Sequence, residues 1–503
     1  MNVVSATRRL KFRTLAAAGF LAALIATVTL AGAPPAIGGV AVVQGAAGVG
    51  DPLLPKAGNG GYKVSSYDAQ LRYRLGANKL KSTTRIKAKV KTGGPSLGRF
   101  DLDFRGPKIT SLRVDGKKAG FSRAGQELIV TPKQPLLSGA TFQIQVSYSG
   151  TPKPVTDPDG SQEGWVVTKG YSIALGEPQG TPAWLPSNDH PSDKARFRIK
   201  IEVPRGQRAI ANGRLVKHRH KGRWNIFGYR QNKPMATYLA TVATGPLVFD
   251  KAKVGGAKYL AALSQDDAPG GRALLLKHTR RALTFERKAL GKYPFADTGG
   301  IVIPSSLGYS LETQTRPYYP GVPGQGLATH ELGHQWFGDS VSIAGWNEIW
   351  LNEGFATYLE FLYDERHGGP SVKQTFNKLY ADHAGSDNAF WNPPPADPGS
   401  AANLFAGSIY IRGAMALEAV RLTTGDHDFF ELLRQWVKEN EYSNGTIAGF
   451  QQLAESISGE DLDAVFQDWL YEPGKPPPIG PRAANAGTGP ATELDFGSLR
   501  LSD

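Results

Sequence analysis

The first half of the chain carries a short-period alternation of apolar and polar residues. Between Gly61 and about Thr244, segments such as residues 69–74 and 142–146 alternate in this way and are separated by Gly, Pro and Asp turns. Side chains on a β-strand point alternately to opposite faces, so the alternation predicts strands with one buried face. We therefore predict an all-β domain over residues 61–245.

The pattern changes after Gly245. Two more strand-like stretches are followed by apolar residues at helical spacing over residues 272–290, and helical spacing dominates to about Tyr471. Prolines that follow end the last helix, because proline cannot continue one. We predict a mainly helical domain over residues 246–475 and a loose polar tail over residues 476–503, which together give a multidomain α+β protein.

The first residues have the pattern of an export signal. Four basic residues at positions 8–13 precede an apolar run over residues 15–33 that contains no charge. We predict a signal peptide over residues 1–36, a flexible leader over residues 37–60 and a secreted, extracellular protein. A retained membrane anchor is the alternative. After signal removal we expect no stable membrane association.

Composition narrows the classes of chemistry. The 503-residue chain has no cysteine, so disulfides, thiolate metal sites and a catalytic thiol are excluded, and any metal must be held by His and carboxylates. Lys and Arg exceed Asp and Glu by 58 to 44, but the bases are spread along the chain without a block of five or more. We interpret them as a solvated basic surface and expect no nucleic-acid partner.

One short motif carries candidate metal chemistry. His330 and His334 lie four residues apart, which is about one helical turn, so both imidazoles can face one ion with Glu331 beside it. A catalytic zinc site needs three protein ligands and one open position. The sequence therefore has to supply one more ligand from a second element.

We predict Glu353 as the third ligand of one Zn²⁺ per chain. It follows His334 after eighteen intervening residues, and Gly338 is placed to end the first helix while Asn352 is placed to cap the next. A helix, a loop and a second helix then bring the carboxylate back to the histidines. Glu360 lies two turns further along the same helical face, where it can orient a histidine ligand.

This arrangement predicts hydrolysis. Zn²⁺ lowers the pKa of its bound water to about 7, and Glu331 can take the proton as hydroxide attacks a peptide carbonyl. The alternative without metal binding is that His330 and His334 are ordinary helix residues with hydrogen-bonded rings and that Glu353 is a surface carboxylate.

A family resemblance extends over the motif. Residues 330–360 read HELGHQWFGDSVSIAGWNEIWLNEGFATYLE and closely resemble the gluzincin zinc metallopeptidases of the aminopeptidase N type. Residues 187–194, SNDHPSDK, are similar to the family's segment near the end of its β domain, and residues 461–470 are similar to its last catalytic helix. The resemblance implies a saddle-like β domain followed by a thermolysin-like catalytic domain.

The same resemblance implies roles for three further residues. Tyr410, in the segment YIRG, matches the family's tyrosine that hydrogen-bonds the oxyanion of the reaction. Glu312 and Glu177 match two acidic positions that bind the free amine of the substrate by pairing a carboxylate with an ammonium group.

The segment around Glu312 departs from the family pattern. Residues 308–313 read GYSLET, where the family more often has Gly-x-Met-Glu-Asn, so that Leu replaces Met, Thr replaces Asn and Gly308 lies one residue early. We interpret the segment as an edge strand to which a peptide can add by backbone pairing. The alternative is that Glu312 is a solvated charge at a strand end.

The sequence thus predicts a secreted zinc aminopeptidase that removes N-terminal residues from peptides. Two alternatives stay open. One is a zinc endopeptidase with no need for a free amine, which the altered segment at Glu312 permits, and the other is a catalytically inactive relative that binds or scaffolds. Peptide substrates are the predicted partners, and the sequence does not indicate an oligomeric state.

Overall fold

The computed structural model describes residues 41–385 and 388–479. Its first domain is built of strands along which buried and exposed side chains alternate, as in the strand Tyr62–Arg74. The strands of this domain are β1 (Val42–Gln44), β2 (Tyr62–Arg74), β3 (Lys79–Val90), β4 (Ser96–Asp103), β5 (Lys108–Val114), β6 (Lys117–Lys118), β7 (Gly120–Ala124), β8 (Glu127–Thr131), β9 (Thr141–Gly150), β10 (Pro154–Thr156), β11 (Gln162–Thr168), β12 (Tyr171–Leu175), β13 (Ala195–Pro204), β14 (Arg208–Ala211), β15 (Arg214–Lys221), β16 (Trp224–Met235) and β17 (Val242–Gly245).

These strands form three sheets. The largest has eight strands in the order β15-β16-β13-β2-β3-β9-β5-β6, in which β13 runs parallel to β2 and antiparallel to β16. A second sheet has the order β10-β11-β12-β17-β14 and a third has the order β1-β4-β8-β7. Strand β12 ends at Leu175, so the second sheet sets the position of Glu177.

The second domain begins with a sheet of its own and continues mainly as helices. Its sheet has the order β18-β19-β20-β21. The fold class predicted from the sequence, a β-rich domain followed by a mainly helical one, is confirmed. The elements are β18 (Val248–Val254), β19 (Ala257–Leu263), α1 (Ala268–Leu290), β20 (Asp297–Val302), β21 (Tyr318–Tyr319), α2 (Gln325–Gly333), β22 (Ser342–Ile343), α3 (Trp350–Arg366), α4 (Val372–Asp382), α5 (Gly407–Thr424), α6 (Asp426–Glu439), β23 (Asn444–Gly445), α7 (Ile447–Ser458) and α8 (Asp463–Phe466).

Helices α3 and α5 touch at two glycines. A Cβ atom added to Gly354 would lie 2.9 Å from the carbonyl carbon of Gly413, and one added to Gly413 would lie 3.2 Å from the Cα of Gly354. Only glycine leaves room for two backbones at this separation. Because Glu353 precedes Gly354 and Tyr410 lies one turn before Gly413, the contact sets the distance between these two side chains.

Part of the predicted leader is packed on the protein. Composition predicts a flexible segment over residues 37–60, but within residues 41–60 the strand β1 pairs with β4 and Asp51 is 5% exposed. Asp51 Oδ2 accepts a hydrogen bond from Trp346 N at 2.8 Å and lies 3.1 Å from His190 Nε2. These two contacts join residues that are 139 and 295 positions apart in the sequence. Local sequence patterns cannot show contacts over such separations.

Two predictions about the chain ends fall outside the described residues. These are the signal peptide over residues 1–36 and, apart from residues 476–479, the loose tail. Within the described part of the tail, Pro476 O accepts a hydrogen bond from Tyr380 OH at 2.8 Å. Among the described residues, no helix combines the length and the apolar character that a membrane span requires.

Candidate active site

Helix α2 carries His330 and Glu331 in its last turn, and His334 follows its end. The sequence predicts that Gly338 ends this helix, but α2 ends at Gly333 because the next turn is closed by shorter-range backbone hydrogen bonds. His334 keeps helical φ and ψ values, so the two imidazoles remain one turn apart, with ring centroids separated by 4.7 Å.

Helix α3 supplies the third predicted ligand. Glu353 Oε2 lies 3.3 Å from His330 Nε2 and 3.4 Å from His334 Nε2. Two ligand atoms of a tetrahedral zinc ion, each about 2.0–2.2 Å from the metal, lie roughly 3.3–3.6 Å apart. The three side chains therefore have the spacing, and the two imidazoles and one carboxylate have the chemistry, that a Zn²⁺ site requires.

The second nitrogen of each imidazole is also held. His334 Nδ1 lies 3.1 Å from Phe337 O, and His330 Nδ1 lies 2.8 Å from Glu360 Oε1. A carbonyl or carboxylate oxygen accepts, so each Nδ1 carries a proton. Each Nε2 faces Glu353, where it would present its lone pair to a bound metal. Both rings are thus oriented for a metal before one binds.

Several buried carboxyl groups lie close to these ligands. Burial raises the pKa of Glu331 to about 8, with Glu312 and Glu353 acting in the same direction and the two histidines acting against them. Burial also acts to raise the pKa of Glu353, but His334 and His330 hold it well below its usual range. A bound cation would stabilise the ionised forms of these buried carboxyl groups.

Both predicted amine-binding acids reach the same place. Oxygens of Glu177, Glu312 and Glu353 lie within 4.8 Å of one another. Glu177 is 9% exposed and Glu312 is 2% exposed, and Oε1 of each is buried without a hydrogen-bond partner among the described residues. Burial, and then the carboxylates of Glu312 and Glu353, raise the pKa of Glu177 well above its usual range.

The segment that carries Glu312 is not the predicted edge strand. Leu311 forms a single β-bridge with Tyr318, and Glu312 lies in a loop. The edge beside β20 is taken by β21, and Thr315, with a φ of 67°, turns the chain back before that strand begins. Gln335 Nε2 donates to Glu312 O at 3.1 Å, which ties the loop to the residue after His334.

Tyr410 lies on α5 against the ring of His330. The two ring centroids are 6.1 Å apart and the ring planes differ by 21°. Burial, reinforced by Glu353 and neighbouring carboxylates, raises the pKa of the Tyr410 hydroxyl well above its usual range. The hydroxyl therefore stays protonated and is available as a hydrogen-bond donor in the site.

The predicted cap of α3 is wrong. Ile349 is the N-cap residue, and Asn352 lies inside the first turn of the helix because a 3₁₀ turn at Trp346–Glu348 leads directly into it. Asn352 Nδ2 instead donates to Tyr238 OH at 3.2 Å. Asn352 therefore links α3 to the β domain.

Comparison with protein families gives this geometry its context. Residues 63–239 match the peptidase M1 N-terminal domain, and residues 324–469 match the peptidase family M1 domain. The chain belongs to peptidase family M1. The resemblance to zinc aminopeptidases stated from residues 330–360 is confirmed, and the M1 domains correspond to the β-rich and the mainly helical parts of the fold.

The chain is also similar to two proteins named as aminopeptidases. It is 24% identical to "Probable aminopeptidase 2" of Sulfurisphaera tokodaii over 398 residues, which is 75% of this chain and 50% of the relative. It is 24% identical to the leucyl aminopeptidase of Saccharolobus solfataricus over 407 residues, again 75% of this chain and 50% of the relative. The chain spans about half the length of the curated relatives it matches.

A solved M1 structure matches over most of the chain. The M1 zinc metallopeptidase from Deinococcus radiodurans has a TM-score of 0.78 and 28% identity, and the match covers 87% of this chain and 100% of that one. A mutant of the Deinococcus enzyme, bound to the substrate Tyr-Ser-Ala, has a TM-score of 0.77 and 27% identity over 86% of this chain and 100% of that one. The two chains therefore share the M1 two-domain architecture over 87% of this chain.

In this M1 chain all the predicted site residues line one cavity of about 390 Å³. It is lined by Glu177, Glu312, His330, Glu331, His334, Glu353 and Tyr410, and also by Asp159, Ser161, Tyr309, Ser310, Leu311, Leu327, Glu360 and Phe405. Leu327 lies three residues before His330 on α2, a spacing that could have revealed it. The other lining residues that were not predicted come from loops with no local signal. Among the described lining residues there is no lysine or arginine.

Proposed function

We propose that this M1 chain is a zinc-dependent aminopeptidase that removes N-terminal residues from peptides. The observation that carries the proposal is the pair of buried carboxylates, Glu177 and Glu312, whose unpartnered oxygens lie beside the predicted metal ligands. A buried carboxylate without a partner costs free energy. The ammonium group of a peptide, brought to a peptidase site, is the cation that suits this position.

His330, His334 and Glu353 would hold one Zn²⁺ per chain. When bound, the ion acidifies water and polarises the peptide carbonyl. Glu331 lies in the same cavity, and a cation bound beside it would lower its pKa. Its carboxylate would then accept a proton from the attacking water and return it to the leaving amine. Tyr410, kept protonated by burial, donates a hydrogen bond to the carbonyl oxygen as negative charge develops there.

The relatives support this reaction class. The Sulfurisphaera and Saccharolobus proteins are named as aminopeptidases, and the Deinococcus mutant is bound to a substrate, Tyr-Ser-Ala, that is a short peptide. The Deinococcus chain is covered completely, so the support comes from a chain of comparable extent as well as from the longer relatives.

The test compares aminoacyl fluorogenic amides with their N-acetylated forms, with and without a zinc chelator. We expect chelator-sensitive cleavage of the free-amine amides alone, because an acetylated nitrogen has no charge to pair with Glu177 and Glu312. Glu331→Gln should lower kcat by about 10²–10⁴-fold, the usual contribution of a general base. Its zinc content, measured by atomic emission, should not change.

Other outcomes would replace the proposal. Equal cleavage of free and acetylated substrates would indicate a zinc endopeptidase. No cleavage of these amides by a protein that still binds zinc would indicate an endopeptidase if the protein cuts a longer N-acetylated peptide. It would indicate an inactive relative that binds or scaffolds if the protein does not cut that peptide.

We also propose that the protein is secreted and acts on peptides outside the cell. Support comes from the basic and then apolar pattern of residues 1–36. Antibody detection in separated medium, membrane and cytosol tests this proposal. A shortened chain in the medium is expected, whereas the full-length chain in the membrane fraction would indicate a retained anchor.

A further inference from the structure

The loops that carry Glu177 and Glu312 are both attached to the start of β11. Gln179 N, two residues beyond Glu177, donates to Glu163 Oε1 at 2.8 Å. Tyr309 OH, three residues before Glu312, donates to Gln162 O at 2.6 Å. One dipeptide, Gln162–Glu163, therefore makes contact with both acid-bearing loops.

The contact made by Glu163 is enclosed. Glu163 is 1% exposed, and the neighbouring acid Asp157 is 7% exposed. A Cβ atom added to Gly180 would lie 2.5 Å from Glu163 Oε2, so the loop after Glu177 lies directly on this carboxyl group. Burial, followed by the interaction with Asp157, raises the pKa of Glu163 well above its usual range. Two buried acids side by side are costly, which is a reason to look for their role outside stability.

The contact made by Tyr309 is peculiar to the altered segment. Residues 308–313 have Gly one position early relative to the family pattern, and Tyr309 occupies the place of that glycine. Its ring lines the cavity and its hydroxyl reaches across to β11. A glycine has no side chain with which to make this link. Replacement of the family's glycine by Tyr309 thus adds a link to β11 in the segment that keeps the acid Glu312.

We propose that Glu163 and Tyr309 are positioning residues that hold the carboxylates of Glu177 and Glu312 at the separation that one substrate ammonium bridges. The inference rests on the proposed aminopeptidase function and extends it. Neither residue needs to touch the reacting atoms. Each adds an attachment to a loop that carries one of the acids, and Gln335 holds the loop of Glu312 as well. The loss of either attachment should therefore weaken recognition of the amine.

The test uses two variants that remove one hydrogen bond each. Tyr309→Phe removes only the hydroxyl, and Glu163→Leu removes the acceptor for Gln179 N. Glu163→Gln keeps an acceptor oxygen and should restore the wild-type behaviour. Tyr380→Phe is the matched control, because this tyrosine also donates to a backbone carbonyl, that of Pro476, and does not line the cavity.

The readout separates recognition of the amine from damage to the site. Leucine hydroxamate carries a free amine and acetohydroxamate does not, while both bind the metal of zinc peptidases through the hydroxamate. We expect Tyr309→Phe and Glu163→Leu to weaken the binding of leucine hydroxamate and to raise KM for leucyl amides roughly tenfold, the upper range for the loss of one ordinary hydrogen bond. The inhibition constant of acetohydroxamate and the zinc content should stay unchanged.

Unchanged binding of leucine hydroxamate in Tyr309→Phe would overturn the inference, and so would an equal loss for both hydroxamates. Tyr309→Phe keeps the test decisive if Glu163→Leu does not fold. Failure of the proposed function itself is seen earlier and separately. In that case the wild-type protein would not cleave leucyl amides, or would bind the two hydroxamates equally well.

Discussion

His330 is contacted at its ring face by Tyr410 and at its outer nitrogen by Glu360. The first contact places a protonated hydroxyl in the cavity beside the predicted metal ligands, and the second fixes the direction of the lone pair that would meet a metal. Under the proposed function, we therefore expect the two neighbours of His330 to have separable effects, Tyr410 on the reaction and Glu360 on metal affinity.

Tyr410→Phe should lower kcat by about 10²–10³-fold, because removing one donor to a developing oxyanion has an effect of this size. KM and zinc content should change little. Steady-state kinetics on an aminoacyl amide measure this, with Tyr442→Phe as a control whose hydroxyl donates to Pro294 O outside the cavity. An unchanged kcat would remove Tyr410 from the mechanism.

Glu360→Ala should weaken zinc binding by about 10–100-fold, the usual loss when the partner of a ligating histidine is removed. Competition with a chromophoric chelator measures the dissociation constant. Glu360→Gln keeps an oxygen that can accept from His330 Nδ1 and should lose less. Equal losses in the two variants would show that charge, and not orientation, is the contribution of Glu360.

At the scale of elements, the site depends on how closely α3 and α5 approach. Helix α3 carries Glu353 and α5 carries Tyr410, and the backbones meet at Gly354 and Gly413. Because packing in a protein interior is dense, a methyl group added at this contact would push the two helices apart. The side chains of Glu353 and Tyr410 would then move relative to each other.

Gly354→Ala should lower the free energy of unfolding by about 1–3 kcal/mol, the usual cost of overpacking, despite the higher helix propensity of alanine. It should also lower kcat, because Tyr410 moves relative to Glu353. Chemical denaturation and kinetics measure the two effects. Gly407→Ala, in α5 with no neighbour within 4 Å of the added Cβ, is the matched control and should change neither. Equal effects of both substitutions would contradict this account.

At the scale of the whole molecule, Asp51 joins the first described segment to both domains through His190 and Trp346. Burial acts to raise its pKa, but hydrogen bonds from His190, Trp346 and Leu54 hold the pKa below its ordinary value of 3.8. A carboxyl group with a lowered pKa stabilises the fold fully above its ordinary pKa. That stabilisation is lost as the pH falls through the lower value of the folded state.

Asp51→Asn should therefore lower the free energy of unfolding by about 1–3 kcal/mol at pH 7, the usual effect of removing hydrogen bonds to a buried charge. The difference from wild type should shrink as the pH falls from 7 to 3, because below 3.8 the carboxyl group of the unfolded chain takes up a proton and the folded one follows at its lower pKa. Urea denaturation of the metal-free proteins at both pH values measures this. A difference that did not depend on pH would show that the charge of Asp51 plays no part.

The sequence predicts best what is local. His330, Glu331 and His334 share one helical turn, and Glu353 follows in the next helix, so spacing alone brings them together. Glu177 and Glu312 came from the family resemblance, because the contacts between their loops depend on the packing of two domains. Tyr309 bonds a residue 147 positions away, and no local pattern shows such a contact. The errors at Asn352 and at the segment of Glu312 have the same origin, since local propensity was overruled by neighbouring elements.

The attachment of Asp51 to Trp346 closes a loop of 295 residues without a covalent bond. In a chain with no cysteine this link leaves the entropy of the unfolded chain untouched, unlike a disulfide. The link also requires an unbroken chain, because only then is the effective concentration of Asp51 near Trp346 high. A single proteolytic cut between Asp51 and Tyr62 would turn an internal contact into an association between two molecules. The released segment would then dissociate on dilution, and the junction of the two domains would open to water.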